Sequence, residues 1–190
     1  DAGQNFGIAL TTSGTVWTWG DNQFGQLGAG NLNNQYQPVQ VTALSNIVMV
    51  KAGINHAFAM DNQGVIWAWG ENNGGSLGDG SETKRYTPVI VSGISNVISI
   101  AGGVDHSLAV KSDGTVWGWG ANWFGQLGSD WHSTSSKFLV PTQIPNLSGC
   151  TKVAAGDRFS LFLKSGGSLF SCGLNNYGQM GINDPSNQGT

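Results

Sequence analysis

One stretch recurs four times along the chain, and this repetition constrains the fold more than any other feature. The copies read VWTWGDNQFGQLGAG at 16–30, IWAWGENNGGSLGDG at 66–80, VWGWGANWFGQLGSD at 116–130 and LFSCGLNNYGQMGIN at 169–183. Their aromatic step returns after 50, 50 and 53 residues, at Trp17, Trp67, Trp117 and Phe170. A fixed period of this length is typical of solenoids and propellers, in which each repeat is one supersecondary unit.

Two further markers keep the same phase as the aromatic step. An Ala-Gly or Gly-Gly pair sits at Gly3, Gly53, Gly103 and Gly156, and a proline follows at Pro38, Pro88 and Pro141. Because three markers agree, we interpret residues 1–190 as a single domain of four repeats with incomplete first and last copies. The repeats are 1–45, 46–95, 96–148 and 149–190.

Each repeat has the pattern of short β-strands. Trp17 and Trp19 are two residues apart and therefore share one face of a strand, with Val16 and Thr18 on the other face. The strands before them end in glycine-containing pairs such as Asp113-Gly114, which predict two-residue hairpin turns. No segment shows the period of a helix over ten or more residues, so almost no helix is expected.

A turn of the form Gly-x-Asn-x-(Phe/Tyr)-Gly-Gln-(Leu/Met)-Gly follows each aromatic strand. Its glycines predict backbone conformations that other residues rarely adopt. Its asparagine is expected to hydrogen-bond nearby backbone groups, as in Asx turns. The second copy has Gly74 and Ser76 where other copies have an aromatic residue and glutamine, so we expect it to be less fully packed.

Four short antiparallel strands cannot bury both faces of their sheet alone. Stacking the sheets radially solves this problem, because each sheet then packs on its neighbours and only short edges remain exposed. The sequence therefore predicts an all-β β-propeller, with tryptophan and phenylalanine filling the space between the blades.

The motif Trp-x-Trp-Gly-x-Asn-x-Phe-Gly-Gln-Leu-Gly, with Ala-Gly-x-x-His upstream and Pro-Val downstream, resembles the regulator of chromosome condensation repeat over essentially the whole chain. The resemblance implies a seven-bladed ring, which at this period needs about 350 residues. A chain of 190 residues holds about 3.5–4 such blades. We therefore expect either a piece of a longer chain that completes the ring or a homodimer of half rings.

The resemblance also implies a function in binding rather than in catalysis. The chain is interpreted as a non-enzymatic binding or scaffold module whose rim loops contact a macromolecule, first a protein and second a glycan. Two alternatives stay open: a guanine nucleotide exchange factor for a small GTPase, and an architectural segment of a large bacterial surface or filament protein. The low charge and the Asn/Thr/Gly-rich style resemble bacterial or extracellular members of the family, and this resemblance implies an extracellular or cell-surface location.

Composition excludes several other classes of function. Charged residues make up 10% of the chain against about 25% in an average soluble domain. The net charge is −3 with only 8 Lys and Arg residues, so no basic stripe is available to bind nucleic acid. No apolar run reaches the length of roughly 18 residues that spans a membrane. Motifs for a nucleophile, a phosphate loop or a metal site are absent, and no catalytic residue, metal or cofactor is predicted.

Histidine and cysteine receive structural interpretations. His56 and His106 occupy a position that is Phe6 and Phe159 in the other copies, so a structural role is favoured over catalysis. Cys150 and Cys172 are either two buried thiols or one local disulfide, and the buried thiols are favoured.

The loops between the Gly-Gln-Leu-Gly turn and the proline vary most, and they are the predicted binding elements. They cover 29–37, 79–87 and 129–140, and the third is longer than the others. Trp131 fits no repeat position and is either an anchor for a partner or folded back over the blade edge. Lys84 and Arg85 are either binding residues or a solvated pair. The candidate binding residues are Trp123, Asp130, Trp131, His132, Lys84 and Arg85.

Overall fold

A computed structural model describes residues 1–128 and 136–182, which form fourteen β-strands and one 3-10 turn at Asn73–Gly75. The first sheet holds β1 (Phe6–Leu10), β2 (Val16–Gly20) and β3 (Gln35–Gln40). The second holds β4 (Ile47–Ala52), β5 (His56–Asp61), β6 (Ile66–Gly70) and β7 (Arg85–Ile90). The third holds β8 (Val97–Gly102), β9 (His106–Lys111), β10 (Val116–Ala121) and β11 (Lys137–Gln143). The fourth holds β12 (Cys150–Ala155), β13 (Phe159–Lys164) and β14 (Leu169–Gly173).

The four sheets are arranged as propeller blades, as the repeat predicts. Strands that are consecutive in the chain are antiparallel neighbours within each sheet. β4 contacts β8, and β8 contacts β12, so the first strands of these sheets lie side by side. They line a cleft of about 950 Å³, and the other strands extend outward from it. No helix in the described part of the chain is long and apolar enough to cross a membrane.

The hairpins that lead into the Trp-x-Trp strands and their counterpart, β2, β6, β10 and β14, differ from the predicted two-residue turns. In the first sheet, Thr11 N–H donates to Thr15 O at 3.0 Å, and Gly14 N–H donates to Thr11 O at 3.0 Å. The loop therefore has three residues and ends in Gly14, whose φ is 78°. The prediction was wrong because a two-residue turn of this kind needs positive φ at a residue before the glycine, and Ser13 does not have it.

We call residues 20–28, 70–78, 120–128 and 173–181 the asparagine turns. In the second, Asn72 Oδ1 accepts from Leu77 N–H at 2.9 Å, while Asn72 Nδ2 donates to the carbonyls of Ser81 and Thr83. The bond to the residue five positions on also occurs at Asn22, Asn122 and Asn175. The predicted role of asparagine is confirmed, although the span is longer than the two residues of an Asx turn.

The second asparagine turn is packed closely, contrary to expectation. Gly74 and Gly75 are both buried. A Cβ on Gly74 would lie 3.1 Å from the Cβ of Ala121, and one on Gly75 would lie 2.9 Å from the Cα of Leu139. The third sheet therefore comes close enough to occupy the space that an aromatic side chain would need.

Apolar side chains fill the three spaces between successive sheets. Trp69 packs with Phe6 and Leu27 between the first and second sheets, and Trp119 packs with Phe58 between the second and third. The third cluster contains Phe162 and both cysteines, which are free and buried. Burial raises the pKa of the Cys172 thiol to about 12, so the favoured interpretation of the cysteines as buried thiols holds.

A main-chain carbonyl of each of the first three asparagine turns accepts a hydrogen bond from the following sheet. Trp69 Nε1 donates to Gln26 O at 2.9 Å, and Trp119 Nε1 donates to Ser76 O at 2.8 Å. Cys172 occupies the equivalent position in the fourth sheet, and its thiol lies 3.3 Å from Gln126 O. The second aromatic residue of the motif therefore joins two sheets as well as filling space.

The buried histidines take part in the same joints. Ser107 Oγ donates to Ser76 O at 2.8 Å and lies 3.3 Å from His56 Nε2. Because the serine hydroxyl gives its proton to the carbonyl, His56 Nε2–H is the donor to the serine oxygen. His56 Nδ1 is then buried and has no hydrogen-bond partner among the described residues. Burial lowers the pKa of His56 to about 4, so the ring is neutral near pH 7.

His106 repeats this arrangement one sheet further along. Its Nε2 lies 3.0 Å from Ser160 Oγ, which donates to Gln126 O at 2.6 Å. Burial, together with the nearby ring of His56, lowers the pKa of His106 to about 3. Both histidines join successive sheets, which is the structural role that the sequence favoured.

Candidate protein-binding face

The chain brings the variable loops 29–37 and 79–87 to one end of the sheets. The first and third strands of a sheet run in the same direction, because both pair antiparallel with the strand between them. The segments that follow them therefore meet, and Glu71 N–H donates to Asn55 O at 2.9 Å. We call this end the rim face. It consists of the asparagine turns, the loops 29–37 and 79–87, and the loops 53–55, 103–105 and 156–158.

The glycine of the Trp-x-Trp-Gly step makes this meeting possible. Gly70 has a φ of 105°, and a Cβ added to it would lie 2.5 Å from the carbonyl oxygen of Asn55. A side chain at this position would therefore clash with the neighbouring loop as well as strain the backbone.

Trp123 is the sequence-predicted binding residue that the structure presents most clearly. Its side chain lies in the third asparagine turn and is 45% exposed, which is high for tryptophan beside a packed core. The next residue, Phe124, has the Arg158 guanidinium carbon 5.0 Å from its ring centroid. An exposed indole therefore stands next to a cation–π pair that joins the third and fourth sheets.

Lys84 and Arg85 are adjacent in sequence but contact different partners. Arg85 Nε donates to Asp79 Oδ2 at 2.7 Å within its own loop. Burial opposes ionisation of Asp79, but hydrogen bonds from Ser81 and Arg85 outweigh it and lower the pKa of that carboxyl. Lys84 Nζ lies 4.5 Å from the ring centroid of Phe24 in the preceding asparagine turn. The pair therefore fixes the 79–87 loop on its own sheet and on the sheet before it.

The rim face also contains a group of polar residues that the sequence analysis did not select. We call Asn55, Glu71, Asn73 and Asp105 the acidic niche. The buried carboxylate of Glu71 accepts from Asn55 Nδ2 at 2.9 Å and from Asn73 Nδ2 at 3.2 Å. The niche spans the joint between the second and third sheets.

Asp105 is the member of the niche with an incomplete hydrogen-bond set. Burial raises its pKa, the negative charge of Glu71 adds to the effect, and a hydrogen bond from Asn73 and the charge of Arg158 oppose it. Asp105 Oδ1 is buried and has no hydrogen-bond partner among the described residues. The niche therefore has negative charge and an unused acceptor beside the Arg158–Phe124 pair.

A weak signal for the niche was present in the repeat. Glu71 takes a position that is Asp21 in the first copy but Ala121 and Leu174 in later ones, and Asp105 takes one that is Asn5, Asn55 and Arg158 in the other copies. The two residues can be recognised as neighbours only when the end of the third strand of one sheet is placed beside the first loop of the next sheet. The sequence alone does not show that these segments are adjacent.

The remaining predicted residues, Asp130, Trp131 and His132, lie outside the described residues. Across residues 1–128 and 136–182, no group of three or more metal-ligating side chains is close enough to hold an ion.

Comparisons with known proteins agree on the fold. Over 99% of its length the chain superposes on yeast (Saccharomyces cerevisiae) Prp20p, with a TM-score of 0.89 and 23% identity. That structure was described with its binding to Gsp1p and histones. A second yeast structure, RCC1 (Prp20) bound by Kap60, matches with a TM-score of 0.88 and 24% identity over 99% of the chain. Human WBSCR16 matches over 91% of the chain with a TM-score of 0.80 and 25% identity.

The chain spans about half the length of these structures: 48% of Prp20p, 46% of the Kap60-bound protein and 46% of human WBSCR16. None of the three supports the extracellular or cell-surface location that the sequence style favoured. A family model described as the RCC1-like domain matches residues 1–190. The chain therefore belongs to the RCC1-like domain family, as its repeated motif predicts.

Proposed function

We propose that this chain is a non-enzymatic protein-binding module that uses its rim face. The observation that carries the proposal is the exposed Trp123, which stands beside the Arg158–Phe124 pair. Tryptophan and arginine are the residue types most often found at the energetic centre of protein interfaces. The other predicted residues, Asp130, Trp131, His132, Lys84 and Arg85, are proposed to extend this surface.

The backbone beneath this surface is held in place before any partner binds. Asn122 Oδ1 accepts from Leu127 N–H at 2.9 Å, and Ala121 N–H donates to Asp105 O at 2.7 Å. A surface on such turns loses little conformational entropy when it binds, so more of the contact energy appears as affinity.

The comparisons support a protein rather than a glycan as the partner. Prp20p was described with its binding to two kinds of protein, and a second structure of Prp20 has Kap60 bound. The charge of the rim face also favours a protein partner. The acidic niche can bind a basic side chain of the partner, and Trp123 can pack on an apolar side chain of the partner.

Binding to purified Gsp1p, core histones and a glycan array tests this proposal. We expect saturable binding to a protein, at least a tenfold loss on Trp123→Ala, and no loss on Ile90→Ala. Ile90 is a matched control, because it is an exposed apolar residue on the outer strand β7 and lies away from the rim face. Binding to glycans alone, or equal binding by both variants, would contradict the proposal.

Nucleotide exchange on a small GTPase is the second candidate, and the likeness to Prp20p favours it. Release of a fluorescent guanine nucleotide from Gsp1p separates it from simple binding. Binding without faster release supports the scaffold function, whereas accelerated release that depends on Trp123 supports exchange. An architectural segment of a larger surface or filament protein is the third candidate, and binding to none of these probes would favour it.

A further inference from the structure

The second asparagine turn contains a pair of residues that no other asparagine turn has. Asn73 and Gly74 stand where the other copies have Gln23-Phe24, Trp123-Phe124 and Asn176-Tyr177. Asparagine is one of the chemically labile residues of proteins. The main-chain nitrogen of the next residue can attack its side-chain carbon, and glycine hinders this attack least because it has no side chain.

The main-chain amide of Gly74 lacks the acceptor that its counterparts have. In the other three turns, the equivalent N–H donates at 2.9 Å to a glutamine Oε1 two residues further on: Phe24 to Gln26, Phe124 to Gln126 and Tyr177 to Gln179. The second turn has Ser76 instead of glutamine, and the Ser76 hydroxyl donates to Glu71 O at 3.0 Å. Gly74 N–H is therefore left without an acceptor among the described residues.

The side chain of Asn73 is free to approach that nitrogen. Asn73 is exposed to solvent, whereas Gly74 is buried. Gly74 has a φ of 62°, which interrupts the 3-10 turn directly after Asn73. The turn is therefore not a regular helix beyond Asn73, and the exposed side chain has room to rotate toward the Gly74 nitrogen.

Two carboxyl groups lie beside the side-chain amide of Asn73. Glu71 Oε1 accepts from Asn73 Nδ2 at 3.2 Å, and Asn73 also hydrogen-bonds to Asp105. Burial raises the pKa of Asp105, so this carboxyl keeps its proton to a higher pH than an ordinary aspartate does. A protonated carboxyl in this place can donate to ammonia as it leaves the side chain.

We propose that Asn73 is a site of spontaneous deamidation that changes the charge of the acidic niche. The Gly74 nitrogen attacks Asn73 Cγ and loses its proton, the Cγ–Nδ2 bond breaks, and ammonia leaves. Water then opens the cyclic succinimide at either carbonyl, which gives aspartate or isoaspartate at position 73. Water is the only co-reactant, so the reaction needs no oxidant, cofactor or partner protein.

The product places a third carboxylate in the acidic niche, beside Glu71 and Asp105. The new charge repels both groups, and the hydrogen bonds from the Asn73 amide are lost. Because that hydrogen bond lowers the pKa of Asp105 and a negative charge raises it, the pKa of Asp105 rises further after the reaction. Glu71 follows the second sheet and Asp105 lies in a loop of the third, so the repulsion acts across their joint.

Peptide mapping by mass spectrometry, applied to the folded 190-residue chain during storage at neutral pH, measures aspartate and isoaspartate at position 73. Asn176 is the matched control within the same chain. It is exposed at the equivalent position of its turn, but it precedes Tyr177, whose N–H is bonded to Gln179. We expect conversion at Asn73 to be about tenfold faster than at Asn176. Equal rates, or an unconverted Asn73, overturn the proposal.

Ser76→Gln tests the contribution of the free amide. It restores the glutamine of the other turns, so it is expected to bind Gly74 N–H and slow the conversion several-fold, with circular dichroism checking the fold. An unchanged rate in the folded variant would show that the missing acceptor is not the cause.

Asn73→Asp reproduces the charge of the product, and Asn73→Gln keeps an amide. A carbon-13 NMR titration is expected to show a higher pKa for Asp105 in Asn73→Asp than in Asn73→Gln. Equal values would contradict the proposed change in the niche.

Discussion

The joint between the second and third sheets and the joint between the third and fourth sheets use different side chains on the same acceptor. In the former, Trp119 and Ser107 both donate to Ser76 O, at 2.8 Å each. In the latter, Ser160 donates to Gln126 O at 2.6 Å, while the smaller Cys172 supplies only a thiol, a weak donor, at 3.3 Å. Serine donates to the turn carbonyl in both joints, whereas an indole donates and fills space only in the first of them. The hydrogen bond from serine therefore does not require the packing that the indole supplies.

Of the substitutions that test this comparison, Trp119→Ala is expected to change the free energy of unfolding most. The indole is fully buried and forms an edge-to-face contact with Phe58 at 6.2 Å, so its removal leaves a large cavity. We expect a loss of about 3–5 kcal/mol in the free energy of unfolding, measured by urea denaturation. Trp119→Phe keeps much of the packing but not the N–H donor, and a loss as large as that of the alanine variant would show that packing is not the main contribution.

Acid is expected to weaken both histidine-containing joints. The folded-state pKa values of about 4 for His56 and about 3 for His106 lie below the unfolded value of about 6.5. The unfolded state therefore binds more protons, and the free energy of unfolding falls as the pH drops from about 6.5 toward 4. The slope is at most about 1.4 kcal/mol per pH unit for each histidine.

Removing one histidine tests this assignment of the slope. His106→Phe places the residue found at Phe159 into the third sheet, so the fold has a precedent for it. We expect urea denaturation between pH 7 and 4 to show a shallower decline for the variant than for the wild type. An unchanged slope would assign the acid sensitivity to other groups.

Cys172→Ala is expected to have a smaller effect than either change above. The thiol is buried, but it is a weak donor to Gln126 O, and Ser160 continues to satisfy that carbonyl. We expect a loss of about 1 kcal/mol in urea denaturation. A loss comparable with that of Trp119→Ala would mean that the thiol contributes as much to its joint as the indole does.

The smallest expected effect concerns the acidic niche at the rim of the second joint. Because the charge of Glu71 adds to the burial that raises the pKa of Asp105, Glu71→Gln should lower that pKa part of the way to its ordinary value. A carbon-13 NMR titration of the Asp105 carboxyl measures the change. Glu82→Gln is the control, since Glu82 pairs with Lys137 outside the niche and should leave Asp105 unaffected.

Much of this fold follows from local sequence, because the repeats share the same pattern of strand and turn residues. The spacing of Trp67 and Trp69 predicts a strand, and the fixed asparagine predicts a turn held by its own side chain. The hairpin loop is one residue longer than predicted, since a glycine-containing pair fits both a two-residue turn and the end of a three-residue loop. The tight packing of Gly74 was missed because Ala121, which closes on it, belongs to the next sheet.

The candidate site was less predictable than the fold for the same reason. Trp123 departs from its repeat position and could be selected from sequence. Glu71 and Asp105 acquire their shared environment from residues 34 positions apart on different sheets, and that proximity depends on how the sheets stack. Arg158 likewise reaches Phe124 only across a joint.

The acceptor at each joint is a main-chain oxygen, and this has a consequence for how such repeats diversify. The side chain at that position takes no part in the joint, so it can be glutamine at Gln26, where it bonds Asp21 and Phe24, or serine at Ser76, where it bonds Glu71. Gln26 and Ser76 are both buried, so mutation at this position changes the hydrogen bonds inside one turn while the bond that attaches the next sheet is kept. Each turn of such a fold can therefore vary internally without loss of its joint to the next sheet.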